Sequence, residues 1–279
     1  MNIGIQGVKA SFHDVAARKF FFDEVVVPVE CPTFKALCES LKKGESDYAM
    51  MAIENSIAGS ILTNYTLLET YGFKVIGEIY LHIRMNILAL PGQTLSDIAF
   101  VQSHPMALLQ CQEFLTQLAA DHEVKIIEAN DTAESAKWIS EKQLPKYAAI
   151  ASELAASTYG LEILQTAIES NQQNYTRFLV ICRSGEEPLY QFANKSSICF
   201  EVAHQPGSLA RVLDVLSEFQ VNMTKIQSVP ILGRPYQYSF HVDLEWGERT
   251  QYHAALANIA SHVQHMVQFG EYPRGERPL

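Results

Sequence analysis

The sequence predicts an α/β fold in two parts, a larger region up to about residue 183 and a smaller βαββαβ unit after it. In the larger region, short β-rich apolar runs alternate with longer helical stretches, which is typical of helices layered on a sheet. After residue 194 the order changes to strand, helix, strand, strand, helix, strand, which is the ferredoxin-like arrangement. The polar stretch Ser184-Gly185-Glu186-Glu187-Pro188 predicts a linker over 184–194.

The composition limits the function classes. The chain has 279 residues, 48% hydrophobic and 19% charged, which supports two or three compact units and argues against general disorder. The net charge of −10 argues against a nucleic-acid partner. No apolar run approaches the ~18 residues of a membrane helix, so no membrane association is expected. Five cysteines without a C-x-x-C pattern indicate neither a disulfide framework nor a zinc knuckle, and a reducing, cytoplasmic location is expected.

The first half of the α/β region is predicted to alternate three strands with two helices. Ser11 and Thr33 are residue types that cap helix N-termini, and each precedes a helical stretch. The third strand ends at the polar loop Glu54-Asn55-Ser56, and polar groups at the carboxyl end of a strand form candidate ligand sites. The predicted elements are strand 2–6, helix 12–22, strand 25–27, a helix from Thr33 to 42, and strand 48–53.

The second half repeats the alternation. Pro105 suits the first turn of a helix, and Asp131 or Thr132 is predicted to cap the next helix toward Ile139. The predicted strands are 74–80, 84–90, 100–102, 124–127, 147–151 and 176–182.

The βαββαβ order of the last part is common in units that sense small molecules or pair subunits. Pro206-Gly207 opens its first helix, and the second helix is predicted over 250–261. The unit is expected to span 195–270, and the Pro and Gly residues beyond it predict a loose tail over 271–279. The predicted strands are 196–202, 223–228, 237–244 and 266–269.

Several common chemistries lack their motifs. Neither G-x-x-x-x-G-K-[ST] nor G-x-G-x-x-G occurs, so no nucleotide is expected. The nine histidines never fall at H-E-x-x-H or another close ligand spacing, so no metal is expected.

Three polar clusters at predicted strand ends are the candidates for chemistry. Glu54-Asn55-Ser56 followed by Gly59 is typical either of a turn that holds a carboxylate or of an ordinary helix cap. Ser103-His104-Pro105 fits a site or a cap with a buried histidine. Thr176-Arg177-Phe178 lies in an apolar strand, where a guanidinium is costly unless it meets an anion, and this favours a function.

In their order along the chain, these clusters resemble the prephenate dehydratase family. The family's E-N-S-x-x-G loop matches Glu54 to Gly59, its S-H-P-x-x-x-x-Q-C segment matches Ser103 to Cys111, and its N-x-T-R-F strand matches Asn174 to Phe178. Its T-A-x-A-A stretch appears as Thr132 to Ala136. The P-G-x-L turn of its C-terminal ACT regulatory domain matches Pro206 to Leu209.

Two segments depart from the family pattern. The opening G-x-x-G-[ST]-[FY]-[ST] turn has Ala10 in place of its second glycine and His13 in place of a hydroxyl residue. The ACT motif E-S-R-P reads Gln227-Ser228-Val229-Pro230, without the acid and the arginine of the family's phenylalanine site. Phenylalanine is therefore expected to bind more weakly than is usual in the family.

The resemblance implies a fold and a domain division. Residues 1–183 would form a catalytic domain of two facing lobes, like a type II periplasmic binding protein, with the site between the lobes. Lobe one would hold 1–75 with 166–183, and lobe two 76–165. The ACT domain would pair subunits into a homodimer or homotetramer.

The resemblance also implies a cofactor-free conversion of prephenate to phenylpyruvate. Thr176 would donate a hydrogen bond to the leaving hydroxyl, with Glu54 or His104 as the source of the proton, and Arg177 would clamp the side-chain carboxylate. Substrate contacts are expected from Asn55, Ser56, Ser103, His104, Gln110, Phe178, Thr132 and Ser11. Phenylalanine, as the effector, is expected near Gly207, Ser208, Leu209, Gln227 and Ser228.

Two other functions fit the same residues. An arogenate dehydratase would act on the amine in place of the keto acid, and the sequence does not separate the two substrates. A non-catalytic two-lobed carboxylate sensor with an ACT domain would share the fold. Thr176 beside Arg177 favours an enzyme, since a sensor has no need of a proton donor.

Overall fold

A computed structural model describes residues 1–278 as two compact units. The first contains 1–59 and 80–178, and the second 60–79 and 179–277. The last boundary between the two units follows residue 178, a few residues before the linker predicted over 184–194. No helix in the described part of the chain is long and apolar enough to cross a membrane.

The described residues form fifteen strands and nine α-helices. The strands are β1 Asn2–Gln6, β2 Val27–Cys31, β3 Tyr48–Asn55, β4 Gly59–Ser60, β5 Lys74–His82, β6 Asn86–Ala89, β7 Phe100–Ser103, β8 Lys125–Glu128, β9 Tyr147–Ala151, β10 Glu162–Gln165, β11 Tyr175–Cys182, β12 Lys195–Glu201, β13 Asn222–Pro230, β14 Tyr238–Glu245 and β15 His265–Tyr272. The helices are α1 Phe12–Phe20, α2 Phe34–Lys43, α3 Leu62–Tyr71, α4 Pro105–Gln110, α5 Gln112–Asp121, α6 Thr132–Lys142, α7 Glu153–Tyr159, α8 Ser208–Glu218 and α9 Arg249–Ile259.

Two sheets account for the predicted α/β region. One has the order β2-β1-β3-β11-β5, with β4 beside β3, and its strands β1, β2 and β3 are parallel. The other has the order β10-β6-β9-β7-β8, in which β7 is parallel to both of its neighbours and β6 is antiparallel to both of its own. The α/β class predicted from the sequence is confirmed. Strand β10 and helix α7 were not predicted.

The second strand was placed wrongly by the sequence. The apolar run at Val25 predicted a strand over 25–27, whereas β2 begins at Val27 and continues through Pro28 to Cys31. Pairing with β1, in which Asn2 faces Val27 and Gln6 faces Cys31, sets this register. Because β2 lies at the edge of the sheet, Pro28 needs no partner on its outer side.

The predicted helix caps have different outcomes. Thr33 Oγ1 accepts from Ala36 N at 3.1 Å, and Asp131 Oδ1 accepts from the amides of α6 at 2.7 and 2.9 Å, so both caps are confirmed. Ser11 stands at the N-cap position of α1 but makes no side-chain cap, and this prediction was wrong. Its Oγ donates to Gln6 O at the end of β1 at 3.5 Å, while Asp14 Oδ2 accepts from Ala10 N at 2.8 Å.

The C-terminal sheet confirms the ferredoxin-like prediction. Its antiparallel order is β13-β14-β12-β15, the order in which this fold arranges its four strands. Ile198 and Phe200 on β12 pack with α8 and α9 in an apolar core. The last strand continues past the predicted end at 269 to Tyr272, which is fully buried, so the chain at 271–272 is not loose.

A left-handed residue at the end of α6 gives a prediction of stability. Gln143 is the C-cap with φ 49° and ψ 53°, a conformation that Gly160 supplies at the end of α7. Because a side chain is strained there and Gln143 is exposed, we expect Gln143→Gly to raise the free energy of unfolding by about 0.5–1 kcal/mol. Denaturant unfolding of this variant beside Gly160→Ala, which should lose about 1 kcal/mol, checks the result. A destabilised Gln143→Gly would contradict it.

Candidate active site

Asn55 is the centre of a hydrogen-bond network at the end of β3. Its Nδ2 donates to Asn174 Oδ1 at 2.8 Å, to Tyr175 O at 3.3 Å and to Thr176 Oγ1 at 3.0 Å. Its Oδ1 accepts from Ile57 N and from the next amide, at 3.0 and 2.8 Å, which forms an Asx turn. Both ends of the amide are therefore fixed, and its orientation is determined by its partners.

Ser56 fastens the same turn to the start of β11. Its backbone N donates to Tyr175 O at 2.8 Å, and its Oγ accepts from Tyr175 N at 2.9 Å. The hydroxyl in turn donates to Gln173 O at 2.7 Å. The backbone N and the Oγ of Ser56 both make hydrogen bonds within the protein, so Ser56 has a structural role in addition to the substrate contact predicted for it.

Asn174 joins the third motif to the other two. The residue is fully buried, and its Nδ2 donates to Gln110 Oε1 at 2.9 Å. Gln110 is the last residue of α4, the helix that Pro105 begins. The three segments that resemble one family in sequence therefore meet in one network within the first unit.

The network gives the Thr176 hydroxyl a direction. Its Oγ1 accepts a hydrogen bond from Asn55, so the hydroxyl hydrogen is available to a different acceptor. A leaving hydroxide needs a hydrogen-bond donor, and a Thr176 hydroxyl that donated its hydrogen to Asn55 would not supply one. Thr176 therefore lies beside Asn55, and its role in the reaction stays a prediction.

Arg177 leaves β11 on the other face. Neighbouring side chains of a strand alternate between its two faces, so Arg177 is directed opposite to Thr176. Its residue surface is only 4% exposed, and its guanidinium carbon lies 5.9 Å from the centre of the Tyr80 ring. The two residues were expected to face one crevice, and strand alternation argues against this. The carboxylate clamp stays a prediction.

The Ser103-His104-Pro105 segment is an N-terminal helix turn. Ser103 is fully buried and its Oγ donates to Ile150 O at 2.7 Å, which ties β7 to β9. His104 is the N-cap of α4, and its Nδ1 accepts from Met106 N at 3.2 Å. The ring nitrogen that remains, Nε2, then carries the proton of the neutral imidazole. Because Ser103 is fully buried, its surface does not support the substrate contact that was predicted for it.

Asp131 lies against the turn after β1. A Cβ atom on Gly7, which has φ +94°, would come within 2.3 Å of Asp131 Oδ2, so only glycine fits there. Burial raises the pKa of Asp131, while the amide of Glu134 and that of Ala133 lower it. Thr132, a predicted substrate residue, is the first residue of α6.

A family model described as prephenate dehydratase matches residues 3–186. The chain belongs to the prephenate dehydratase family.

Curated relatives cover nearly the whole chain. Arogenate dehydratase/prephenate dehydratase 2, chloroplastic, of Arabidopsis thaliana is 35% identical over 289 residues, which is 98% of this chain and 73% of that protein. A bifunctional chorismate mutase/prephenate dehydratase of Aquifex aeolicus is 34% identical over 279 residues, with 98% and 74% covered.

Solved structures give the same answer for the fold. The prephenate dehydratase of Arthrobacter aurescens in complex with L-Phe has a TM-score of 0.85 and 28% identity, covering 98% of this chain and 90% of that one. A structure titled as a novel type of quorum quenching acylase, GqqA, has a TM-score of 0.88 and 29% identity over 98% of both chains.

The other family residues have mixed placements. Phe178 is 1% exposed and packs edge-on against the His13 ring at 4.9 Å, so it belongs to the core. Burial lowers the pKa of His13, the residue that departs from the family's turn, to about 3, and its imidazole is neutral at physiological pH. Glu54 is a half-buried residue of β3, and its part in proton transfer stays a prediction.

Two residues near the network were missed by the sequence reasoning. His82 Nε2 lies 2.7 Å from Gln172 O, and its ring stacks on Tyr175 at 4.7 Å. Arg84 Nε donates to His82 Nδ1 at 3.4 Å, and both side chains line a cavity of about 600 Å³. The available signal was the His82-Ile83-Arg84 triplet, of which the first two residues fell between the predicted strands 74–80 and 84–90 and the third was predicted to begin the second strand. The lining of this cavity includes neither Asn55 nor Thr176.

The predicted effector residues divide between two places in the second unit. Ser208 and Leu209, at the start of α8, line a cavity of about 170 Å³. Gly207 before them has φ +81°, which a glycine adopts without strain. Gln227 and Ser228 lie on the edge strand β13, where Gln227 Nε2 donates to Ser228 O at 2.9 Å.

Proposed function

We propose that this protein removes water and carbon dioxide from prephenate to give phenylpyruvate, a step of phenylalanine biosynthesis. The observation that carries the proposal is the donor hydrogen bond from Asn55 to Thr176, which joins two of the family's motifs and leaves the threonine hydrogen for a substrate. The family to which the chain belongs supports the same activity.

The reaction asks little of the protein beyond binding and one proton. Loss of the ring carboxylate and the ring hydroxyl makes the ring aromatic, which supplies the driving force without a cofactor. The hydroxyl needs a hydrogen-bond donor as it departs, and Thr176 is placed to provide it. An aliphatic hydroxyl is too weak an acid to lose its proton outright, so a proton relayed from Glu54 or His104 completes the step.

The substrate is a dianion, and the chain has a net charge of −10, so a cation is needed where it binds. If Arg177 is the clamp, Arg177→Lys raises KM by about tenfold or more with little change in kcat, because lysine cannot make the planar two-point contact. Steady-state kinetics beside the thermal unfolding midpoint check this.

If Arg177 has only a structural role, Arg177→Lys should change stability and not KM. An unchanged KM with a lower unfolding midpoint would reject the clamp and leave the guanidinium as a packing partner of Tyr80. Arg84→Lys, made in parallel, tests the second cation. A rise in KM for this variant alone would place the substrate carboxylate in the 600 Å³ cavity.

The choice between prephenate and arogenate needs a measurement. Relatives named for either or both activities match this chain over 97% or more of its length. We expect prephenate to have the higher kcat/KM, and purified protein assayed with both substrates decides the order. Formation of phenylpyruvate from prephenate also excludes a sensor without catalysis, whereas saturable binding without product would support the sensor.

Regulation and assembly follow the family. We propose that phenylalanine binds at the 170 Å³ cavity beside Ser208 and Leu209, and that the ACT unit pairs subunits into a homodimer or homotetramer in the cytoplasm. Calorimetry with phenylalanine measures the affinity, which we expect to be weak because Gln227 and Val229 stand in place of the acid and the arginine of the family's motif. Tight inhibition would contradict it.

A second activity has one observation in its favour. The structure titled as a quorum quenching acylase shares this fold over 98% of both chains. An acylase cleaves an amide and needs a nucleophile, for which the oriented Thr176 hydroxyl is the candidate. Incubation with an N-acyl homoserine lactone, followed by mass spectrometry, tests it. Hydrolysis that survives in Thr176→Ala would remove this residue from the mechanism.

A further inference from the structure

The C-terminal sheet has a second face that is buried and polar. While one face packs in the apolar core, the alternate residues of β12 and β14 point to the opposite side. Eight of these residues are polar and almost fully buried: Lys195, Ser197, Cys199, Glu201, Ser239, His241, Asp243 and Glu245. Burial of so many polar groups costs free energy unless each has a partner.

Cys199 and His241 form a direct cross-strand pair on this face. The register of β12 and β14 sets the two residues opposite each other, and Cys199 Sγ lies 3.5 Å from His241 Nε2. Glu69 from α3 reaches the same point. Its Oε2 lies 3.9 Å from Cys199 Sγ and 3.8 Å from His241 Nε2.

These separations are those of ligand atoms around a tetrahedral metal ion. A Zn²⁺ ion with bonds of ~2.3 Å to sulfur and ~2.0–2.2 Å to nitrogen and oxygen places neighbouring ligand atoms roughly 3.3–3.7 Å apart. The three measured distances, 3.5, 3.8 and 3.9 Å, are close to that range, and all three ligand atoms lie within 4.8 Å of one another. A small inward movement of Glu69, whose side chain is 30% exposed, closes the difference.

His265 is available as the fourth ligand. It faces Glu201 across the β12–β15 pair, two residues from Cys199, and therefore lies on the same face of the sheet. Its Nε2 is 4.0 Å from Glu69 Oε1, and its side chain is 51% exposed. Together the four residues offer one thiolate, two imidazoles and one carboxylate.

His241 is costly as a mere packing residue. Its side chain is 4% exposed, and its Nδ1 has no hydrogen-bond partner among the described residues. The unpaired atom is Nδ1, whereas Nε2 is the nitrogen aimed at the Cys199 thiol and the Glu69 carboxylate, and it is this direction of Nε2 that indicates a ligand.

We propose that Glu69, Cys199, His241 and His265 form a structural zinc site that fastens α3 to the C-terminal sheet. The donor set favours Zn²⁺ over Mg²⁺ or Ca²⁺, which prefer oxygen ligands alone. The sequence predicted no metal because its test was close ligand spacing, and these residues come from one helix and three strands far apart in the chain. The site is separate from the proposed catalytic network, so each can fail without the other.

The test uses the whole 279-residue chain after treatment with a chelator. Titration with Co²⁺ alone should give one equivalent of binding, with a near-ultraviolet thiolate-to-cobalt band and the visible bands of four-coordinate cobalt, and Zn²⁺ should displace it. Zn²⁺ should also raise the thermal unfolding midpoint, since it binds the folded state.

Matched variants assign the ligands. Cys199→Ser should lose the thiolate band, and His241→Gln should lower the affinity for Co²⁺ by at least about tenfold. Cys182→Ser, at another buried free cysteine of the same unit, should leave both unchanged. Absence of the band in the natural sequence, or its survival in Cys199→Ser, would overturn the proposal. If Cys199→Ser fails to fold, the natural protein's cobalt spectrum and the zinc-dependent midpoint still decide.

Discussion

Thr176→Ala lowers kcat on prephenate by about 10²–10⁴-fold with little change in KM, the usual range for loss of a positioned proton donor. The hydroxyl accepts from Asn55 and so keeps its hydrogen for the leaving group, while the methyl of threonine makes no contribution to this step. Thr176→Ser, which retains the hydroxyl, should retain most of the activity. Stopped assays of phenylpyruvate with protein of matched thermal midpoint measure the effect.

Asn55→Asp tests the direction of that hydrogen bond. An aspartate of the same shape accepts but cannot donate, so the Thr176 hydrogen would turn toward it and be lost to the substrate. We expect a fall in kcat close to that of Thr176→Ala. Thr116→Ala, at an exposed threonine whose Oγ1 donates to Gln112 O, is the control and should change nothing. If Thr176→Ala kept kcat within about twofold, the donor role would have to be abandoned.

The residues of the network could be chosen from the sequence, but their geometry could not. Asn55, Gln110 and Asn174 were identified by motif, and their convergence required only that the motifs share one site. Which atom donates depends on the turn around Asn55, where two backbone amides fix the side-chain oxygen. No local pattern encodes that choice.

Other differences have particular physical causes. The opposite direction of Arg177 was available from the two-residue period of a strand, once β11 was recognised to include Thr176. The displaced β2 was not available, because pairing with β1 outweighs the local preference of Val25 to Val27. The cluster of Glu69, Cys199 and His241 required the register of two strands and the packing of a helix.

Lys195→Met is expected to lower the free energy of unfolding of the second unit by about 3–5 kcal/mol. This is the cost of removing one partner of a buried ion pair and leaving the other charge buried. The Lys195 side chain is 1% exposed, and its Nζ lies 2.8 Å from Glu78 Oε1 and 3.3 Å from Glu245 Oε1. Glu245 keeps Arg277 as a second cation, so the loss of Lys195 falls mainly on Glu78, whose side chain is fully buried. Thermal unfolding, followed by a spectroscopic signal that does not depend on activity, measures the loss.

Two further variants separate the charge from the packing. Adding Glu78→Gln to Lys195→Met should recover part of the loss, because the amide oxygen can still accept from Gly275 N, which lies 3.0 Å from Glu78 Oε1. Lys74→Met, in which the lost bond is to the neutral carbonyl of Gln268, should cost only about 1 kcal/mol. If the double variant is no more stable than Lys195→Met, the cost arises from packing of the lysine stem, and the buried pair contributes little to the stability of this unit.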